Sequence, residues 1–198
     1  TSSPLVVLNG NNAVTDGLQL YTGSSGSTIR GLNIQKFTQD GIDIASSNGN
    51  TIAGNYIGTN TGGTNAVGTA NQQGLNLWNA SNNIIGGSTT ADRNVIAGNT
   101  GPGIFIGTDN GTGTGNQIIN NYVGTNAAGT TAIANSWGMM VSTANNVIGS
   151  TNSAERNVIS GNTNGGIYLV GSGATGNAIF GNYIGTNATG NGDINGTS

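Results

Sequence analysis

Short alternating segments recur along the chain, and each begins with glycine followed by an apolar, a variable and a second apolar residue. Alternation over four residues is typical of a strand with one buried face. The segments are GLQL at 17–20, GIDI at 41–44, GLNL at 74–77, GIFI at 103–106, GMMV at 138–141 and GIYL at 166–169. Their recurrence predicts one repeated strand.

Two further apolar positions follow each segment before the next one begins. The second position of each round is occupied by Ile29, Ile52, Ile84, Ile118, Val147 and Ile179. The third position is occupied by Ile34, Ile57, Ile96, Val123, Ile159 and Ile184. Apolar residues in three fixed columns predict an all-β fold, a right-handed parallel β-helix of three short strands per coil. We count six coils and a partial seventh around Leu5 to Leu8.

The repeating unit is two coils long. GNTIAGNYIGTN at 49–60 corresponds to GNQIINNYVGTN at 115–126 and GNAIFGNYIGTN at 176–187. NNIIGGSTTADRNVIAGN at 82–99 corresponds to NNVIGSTNSAERNVISGN at 145–162. Insertions alternate between two corners of successive coils. We expect one β-helix domain over residues 1–198, either a segment of a longer array or an assembling unit, because we recognise no capping segment at its ends.

Asparagine recurs at the bends between the predicted strands. One column holds Asn50, Asn82, Asn116, Asn145 and Asn177, and another holds Asn55, Asn94, Asn121, Asn157 and Asn182. Asparagine tolerates unusual backbone angles, and stacked side-chain amides donate and accept hydrogen bonds along a stack. We therefore predict that both columns are structural ladders.

These motifs resemble those of a known group of proteins from Gly17 to Asn187. NVISGN at 157–162, GIYL at 166–169 and TGNAIFGNYIGTN at 175–187 are similar to repeats of secreted bacterial right-handed parallel β-helix proteins, with the pectate-lyase-like superfamily fold. The resemblance implies a secreted, extracellular or cell-surface location. It does not imply one activity, because this superfamily includes lyases, hydrolases and adhesins.

The amino-acid composition excludes several classes of function for this chain. The chain has 198 residues, a net charge of -3 and only four basic residues, which excludes the electrostatic footprint of a nucleic-acid-binding protein. It contains no long apolar run, so we expect no membrane insertion. Histidine and cysteine are absent, which removes the commonest general base and thiolate chemistry. We expect no obligatory cofactor.

Three acids are the candidates for catalysis. Asp16 and Asp40 each precede a strand-opening glycine, and Asp43 points outward along the second of these strands. With Arg30 and Lys36 in the preceding coil, such a group could hold Ca²⁺ or supply an acid and a base. The alternative is that these acids are solvated turn charges.

The polar loops offer weaker signals. Asp109 and Asp193 stand beside glycine and asparagine in two loops, and they are candidate Ca²⁺ ligands without the full spacing of a Ca²⁺ loop. The adjacent residues Asp92 and Arg93, like Glu155 and Arg156, are expected to form ion pairs within their loops.

Outward positions become apolar toward the C-terminal half. The candidate binding surface consists of Phe105, Trp137, Met140, Tyr168, Tyr56, Tyr122 and Tyr183, and the second strand adds Ile85, Ile119, Ile148 and Phe180. Exposed apolar columns are normally covered or used in binding. Three alternatives stay open: the inserted loops cover them, another chain packs on them, or the rings stack on sugars.

Two functions therefore remain. The first is an extracellular structural or adhesive module without catalysis, whose coils associate with neighbouring repeats or assemble end to end into a filament. The second is a carbohydrate-active β-helix, a polysaccharide lyase, a hydrolase or a glycan binder, that uses Asp16, Asp40 and Asp43.

Overall fold

The computed structural model describes residues 6–68 and 70–194, so Leu5 of the predicted partial coil lies outside the described residues. Over these described residues, nineteen strands follow one another, interrupted by two 3-10 turns at Thr90–Asp92 and Ser153–Glu155. The strands are β1 Val6–Asn9, β2 Leu18–Leu20, β3 Thr28–Arg30, β4 Leu32–Gln35, β5 Asp40–Ala45, β6 Thr51–Ala53, β7 Tyr56–Ile57, β8 Gln73–Trp78, β9 Ile84–Gly86, β10 Val95–Ile96, β11 Ile104–Gly107, β12 Gln117–Ile119, β13 Tyr122–Val123, β14 Trp137–Val141, β15 Val147–Ile148, β16 Val158–Ile159, β17 Gly165–Leu169, β18 Ala178–Ile179 and β19 Tyr183–Ile184.

Every third strand joins the same sheet. Sheet A contains β1, β4, β7, β10, β13, β16 and β19, sheet B runs from β2 to β17, and sheet C runs from β3 to β18. All the paired strands are parallel, and each coil passes from sheet B to sheet C to sheet A. Within the described part of the chain, these strands form a parallel β-helix with six coils and a partial coil, as the apolar columns predict. Parallel connections within a sheet are almost always right-handed, which is the hand expected here.

The interior is a stack of aliphatic side chains from all three sheets. Leu75 and Leu77 of sheet B, Ile85 of sheet C and Ile96 of sheet A are fully buried within one coil. Equivalent residues fill the neighbouring coils and form one continuous cluster. Burial of apolar surface against identical rows above and below is therefore the main stabilising term of the coils.

The glycine near the beginning of each sheet B strand is required by close packing at the corner. A Cβ at Gly74 would lie 2.5 Å from the carbonyl oxygen of Gly103 and 2.6 Å from Cγ2 of Ile96. Gly41 faces the same obstruction from Gly74 and Ile57. Only glycine lets the chain turn from sheet A into sheet B while touching the next coil.

In sheet C, the register predicted from the sequence is wrong by one residue in two coils. Ile52 pairs with Ile85, and Ile118 pairs with Ile85 and Ile148, so Ile85 and Ile148 face inward. The predicted inward residues Ile84 and Val147 face outward instead. Two adjacent apolar residues stand at each place, and a shift of one residue exchanges the two faces of a strand.

Insertions occur at two corners in alternate coils. The 3-10 turns lie between sheets C and A, and longer loops between sheets A and B are closed by antiparallel bridges from Thr59 to Ala66 and from Thr125 to Ala132. These loops also stack, because the Ala127 amide donates to the Gly63 carbonyl at 2.8 Å. The two-coil repeat is therefore visible in the structure as well as in the sequence.

Candidate functional site

The corner between sheets C and A contains a continuous ladder of buried asparagines. Oδ1 of Asn94 accepts hydrogen bonds from the Asn55 amide at 2.9 Å and from Asn55 Nδ2 at 3.2 Å. Nδ2 of Asn94 donates to the Ile52 carbonyl at 2.8 Å and to Asn121 Oδ1 at 2.9 Å. The column drawn from the sequence occupies this ladder throughout; its members are Asn55, Asn94, Asn121, Asn157 and Asn182.

The corner between sheets B and C contains a second ladder, in which two predicted members are wrong. Asn83 and Asn146 replace Asn82 and Asn145; the ladder consists of Asn50, Asn83, Asn116, Asn146 and Asn177. Asn82 and Asn145 have φ angles of 58° and 57° and lie at the turn itself. In both coils two asparagines are adjacent, and the error follows from the one-residue register shift of sheet C.

A third ladder, between sheets A and B, was not foreseen from the sequence. Asn71 donates to Asn99 at 3.0 Å, Asn99 to Asn135 at 2.9 Å, and Asn135 to Asn162 at 3.0 Å. The available signal was an asparagine three or four residues before the strand-opening glycine of four coils. Its variable spacing hid the column.

The three candidate acids lie in one hydrogen-bonded network at the N-terminal end of sheet B. Asp16 Oδ1 accepts the amide of Asp40 at 3.0 Å, and its Oδ2 accepts from Gln19 at 2.8 Å. Asp43 Oδ1 accepts from Nδ2 of Asn76, its register partner on β8, at 3.0 Å. The parallel register therefore brings together acids that are 24 to 27 residues apart in the chain.

Burial changes the protonation of this network. Loss of hydration raises the pKa of Asp40 to about 7, assisted by the charges of Asp43 and Asp16 and opposed by a hydrogen bond from Asn76. Burial also raises the pKa of Asp43, although a hydrogen bond from Tyr21 opposes the shift. The same hydrogen bond to Asp43 raises the pKa of Tyr21. Asp40 is thus the acid that most readily holds a proton.

An unused acceptor lies beside this protonatable acid. Gln73, the register partner of Asp40 in the next coil, has a buried Oε1 without a hydrogen-bond donor among the described residues. Oδ1 of Asn76 is in the same condition. A proton on Asp40 would supply a donor to a network that otherwise contains an excess of oxygen acceptors.

The expected basic partner of these acids binds elsewhere. Arg30 Nη1 contacts Asp92 Oδ1 at 2.6 Å, in the 3-10 turn two coils further on. Arg93 instead donates to Asn120 Oδ1 and lies over the Tyr122 ring, and Arg156 donates to the Gly181 carbonyl. The predicted pairs of Asp92 with Arg93 and of Glu155 with Arg156 are therefore wrong. Adjacent residues at the end of a 3-10 turn diverge, and each arginine reaches the next coil.

The C-terminal half of the same sheet B face is aromatic. Trp78 stacks with Phe105 at a ring-centroid distance of 6.1 Å, and Trp137 stacks with Tyr168 at 4.8 Å. Glycine in the following coil makes room for each tryptophan: a Cβ at Gly107 would lie 2.7 Å from Trp78, and one at Gly165 would lie 2.9 Å from Trp137.

The four rings are accessible to different extents. Trp78, Phe105 and Trp137 are half-buried, whereas Tyr168 is exposed. Met140, the other residue predicted for this face, is also half-buried. Trp78 was missed in the sequence, although it directly follows the alternating segment GLNL. The aromatic pairs give sheet B a ridged apolar strip next to its acidic end.

The tyrosines predicted for the binding surface lie on sheet A and are covered. Tyr56 and Tyr122 are buried, and Tyr183 is half-buried. A Cβ at Gly63 would lie 2.8 Å from the Tyr56 ring, and one at Gly129 would lie 2.8 Å from the Tyr122 ring. The inserted loops therefore lie on these rings, and Tyr56 and Tyr122 do not form an exposed surface.

The remaining loop candidates do not converge with other acids. Asp109 Oδ1 accepts from Asn79 Nδ2 at 2.7 Å, and Asp193 pairs with Thr186 in an antiparallel bridge. Within residues 6–68 and 70–194 there is no group of three or more His, Cys, Asp or Glu side chains that could hold a metal ion. Over the same residues, no helix has the length and apolarity needed to cross a membrane.

The chain matches no protein-family model, and no curated protein or solved structure matches it. The resemblance to secreted bacterial β-helix repeat proteins therefore stays a prediction that rests on the motifs themselves.

Proposed function

We propose that this chain is a non-catalytic structural or adhesive module of an extracellular protein. One observation carries the proposal: aliphatic columns and asparagine ladders run through successive coils with the same geometry. Buried amides that are fully hydrogen-bonded rigidify a structure, and identical rows transmit this order from coil to coil. Such a rod suits a spacer or a display scaffold.

End-to-end association is the second part of this proposal. Leu169, Ile179 and Ile184 occupy core columns of the last described coil and are 41%, 39% and 49% exposed. Their equivalents in the preceding coil, Val141, Ile148 and Ile159, are fully buried. We propose that a further parallel coil covers these side chains, from a neighbouring repeat or from a second copy, since a stack of parallel coils is the arrangement that covers each row elsewhere. A head-to-tail contact does not close, so it would form a filament.

Sedimentation velocity and electron microscopy over a hundredfold range of concentration test this proposal. We expect fibres or a mass that rises with concentration, and loss of both on Ile184→Lys. Ser172→Lys, in a turn of the same coil, is the matched control. A monomer of unchanged mass throughout the range contradicts end-to-end assembly.

A carbohydrate-active face on sheet B is the second candidate function. Its supporting observation is the aromatic strip of Trp78, Phe105, Trp137 and Tyr168 beside the Asp40 network, because sugar rings stack on aromatic faces and glycosidic chemistry uses paired carboxyls. Gel retardation in a panel of neutral and acidic polysaccharides tests binding, and release of reducing ends tests cleavage.

The two activities are separable by variants. Trp137→Ala should remove polysaccharide retardation, and Tyr122→Phe on covered sheet A should retain it. Asp40→Asn should remove cleavage and retain binding. Cleavage that survives Asp40→Asn contradicts the enzymatic role of the acids, and the absence of retardation by every polysaccharide contradicts a glycan face.

A further inference from the structure

Two arginines line one small groove on the outer side of sheet A. The groove has a volume of about 110 Å³, and its wall includes Arg93, Tyr122, Ser153, Arg156 and Tyr183. These two arginines are half of the four basic residues in the chain. In a protein of net charge -3, this concentration of positive charge calls for an explanation.

Both guanidinium groups are held in fixed orientations. Arg93 donates from Nε and Nη2 to Asn120 Oδ1, at 3.0 and 2.8 Å, and lies 4.2 Å from the centroid of Tyr122. Arg156 donates from Nε to the Gly181 carbonyl at 2.9 Å and lies 4.2 Å from the centroid of Tyr183. Nη1 of Arg93 and both Nη atoms of Arg156 donate to no group in the described part of the chain. Because both planar guanidinium groups are already oriented, they lose little conformational entropy when they bind a ligand.

The positive charge of the groove is not neutralised by a carboxylate. The ion pair of Arg30 with Asp92 lies outside the groove, and no Asp or Glu stands among the described residues that line it. Two cations that face one cavity repel each other, and a bound anion between them would reverse the sign of that interaction. Ser153, which is exposed at the rim, adds a hydroxyl donor.

The preceding repeat provides an internal comparison. Leu32 lies one coil before Asn55 at this corner, because its amide donates to Asn55 Oδ1 as the Asn55 amide donates to Asn94 Oδ1. Leu32 is thus two coils before Asn94, so it is the equivalent of Asn94 in the preceding two-coil repeat. The residue before the ladder position is therefore Gly31 in the first repeat and Arg93 in the second. The equivalent place one repeat earlier therefore has Gly31 and Arg93, with a single arginine. The groove beside Tyr122 and Tyr183 has two, Arg93 and Arg156.

We propose that this groove binds one small oxyanion, a carboxylate or a sulfate, between Arg93 and Arg156. Its volume of about 110 Å³ has room for an anionic group. An anion carried by a larger molecule would enter by its charged group, which the two guanidinium groups attract. The site is independent of both functions proposed for sheet B and the coil ends.

Isothermal titration calorimetry with sulfate, acetate and glucuronate tests the site at constant ionic strength, with glucose as the neutral control. We expect the three anions to bind and glucose not to bind. Arg156→Gln should weaken sulfate binding about tenfold, which corresponds to the loss of one charge-assisted hydrogen bond. Arg30→Gln, which removes the same charge outside the groove, should leave the affinity unchanged.

Ser153→Asp covers the case in which an arginine variant fails to fold. This exposed substitution retains both arginines and places a carboxylate at the rim, so it should abolish sulfate binding. Tighter binding of glucuronate than of acetate would support the proposal with an acidic glycan as the source, and equal binding would support it with a free oxyanion. No binding by the unmodified chain, or equal weakening by Arg30→Gln and Arg156→Gln, would overturn it.

Discussion

The outer faces of sheets A and B are built from similar columns, yet one is covered and the other is open. Tyr56 and Tyr122 on sheet A are buried beneath loop glycines. Phe105 and Trp137 on sheet B remain half-buried, with neighbouring rings as their partners. Aromatic residues at regular outward positions therefore do not by themselves indicate a binding surface.

The difference arises at the corner where sheet A turns into sheet B. Loops inserted there in alternate coils fold back over sheet A, and they stack through hydrogen bonds from Ala127 to Gly63 and from Ala188 to Gly129. Positive φ angles of 61° at Gly63 and 67° at Gly129 allow each loop to approach a ring closely. The loops thereby cover the Tyr56 and Tyr122 rings of sheet A, whereas the aromatic rings of sheet B remain partly accessible.

Removing one ring from each face gives the largest expected difference. Tyr122→Ala should lower the free energy of unfolding by about 3–5 kcal/mol, because the ring fills a buried site beneath the loop and Arg93. Phe105→Ala should cost only about 1 kcal/mol, because its ring is partly exposed before the substitution. Urea denaturation measures both values, and Tyr122→Phe is the control that retains the ring. Equal losses for Tyr122→Ala and Phe105→Ala would remove the distinction between the faces.

Gly129→Ala should lift the covering loop at a smaller cost. Its Cβ would lie 2.6 Å from Ala188 Cβ and 2.8 Å from the Tyr122 ring, at a φ of 67°. We expect a loss of about 2 kcal/mol and faster hydrogen exchange of the Ala188 amide. Gly111→Ala isolates the cost of a positive φ, since a Cβ there meets open space. If both variants cost the same, contact with the ring contributes nothing.

The acidic end of sheet B should make stability depend on pH. The folded chain retains a proton on Asp40 up to a pH of about 7, whereas the unfolded chain releases it near the ordinary pKa of 3.8. The folded state therefore binds more protons between these values, and the free energy of unfolding falls as the pH rises.

Urea denaturation at pH 4, 5, 6 and 7 measures this slope. Asp40→Asn should flatten it, leaving the smaller contribution of Asp43, whose pKa is also raised. Stability that increases over this range, or a slope unaffected by Asp40→Asn, would show that Asp40 is not buried as described.

The smallest effect is expected for Arg30→Gln. Its ion pair with Asp92 is on the surface, and exposed pairs contribute less than about 1 kcal/mol. The loss should shrink further in 1 M salt, because the pair is screened. A loss above 2 kcal/mol would mean that this pair fastens the 3-10 turn to the coils.

Much of the coil architecture could be read from the chain, because each coil repeats its residue types in the same columns. The six strand-opening glycines, the sheet A column from Ile34 to Ile184 and the ladder through Asn94 are examples. Where two equivalent residues are adjacent, as in Asn82 with Asn83 or Ile84 with Ile85, periodicity does not choose between them. The register was then decided by the sheets above and below.

Sequence by itself determined the inward columns of sheets A and B and the alternation of loops, because burial of one strand face imposes a local period of two. Only the tertiary structure decided which residues meet across coils. It placed Arg30 beside Asp92 and arranged Asn71 in a third ladder, and it covered Tyr56 and Tyr122 while leaving the sheet B aromatics accessible. These contacts depend on where the inserted loops and the long side chains lie in the folded chain, and no local sequence pattern determines those positions.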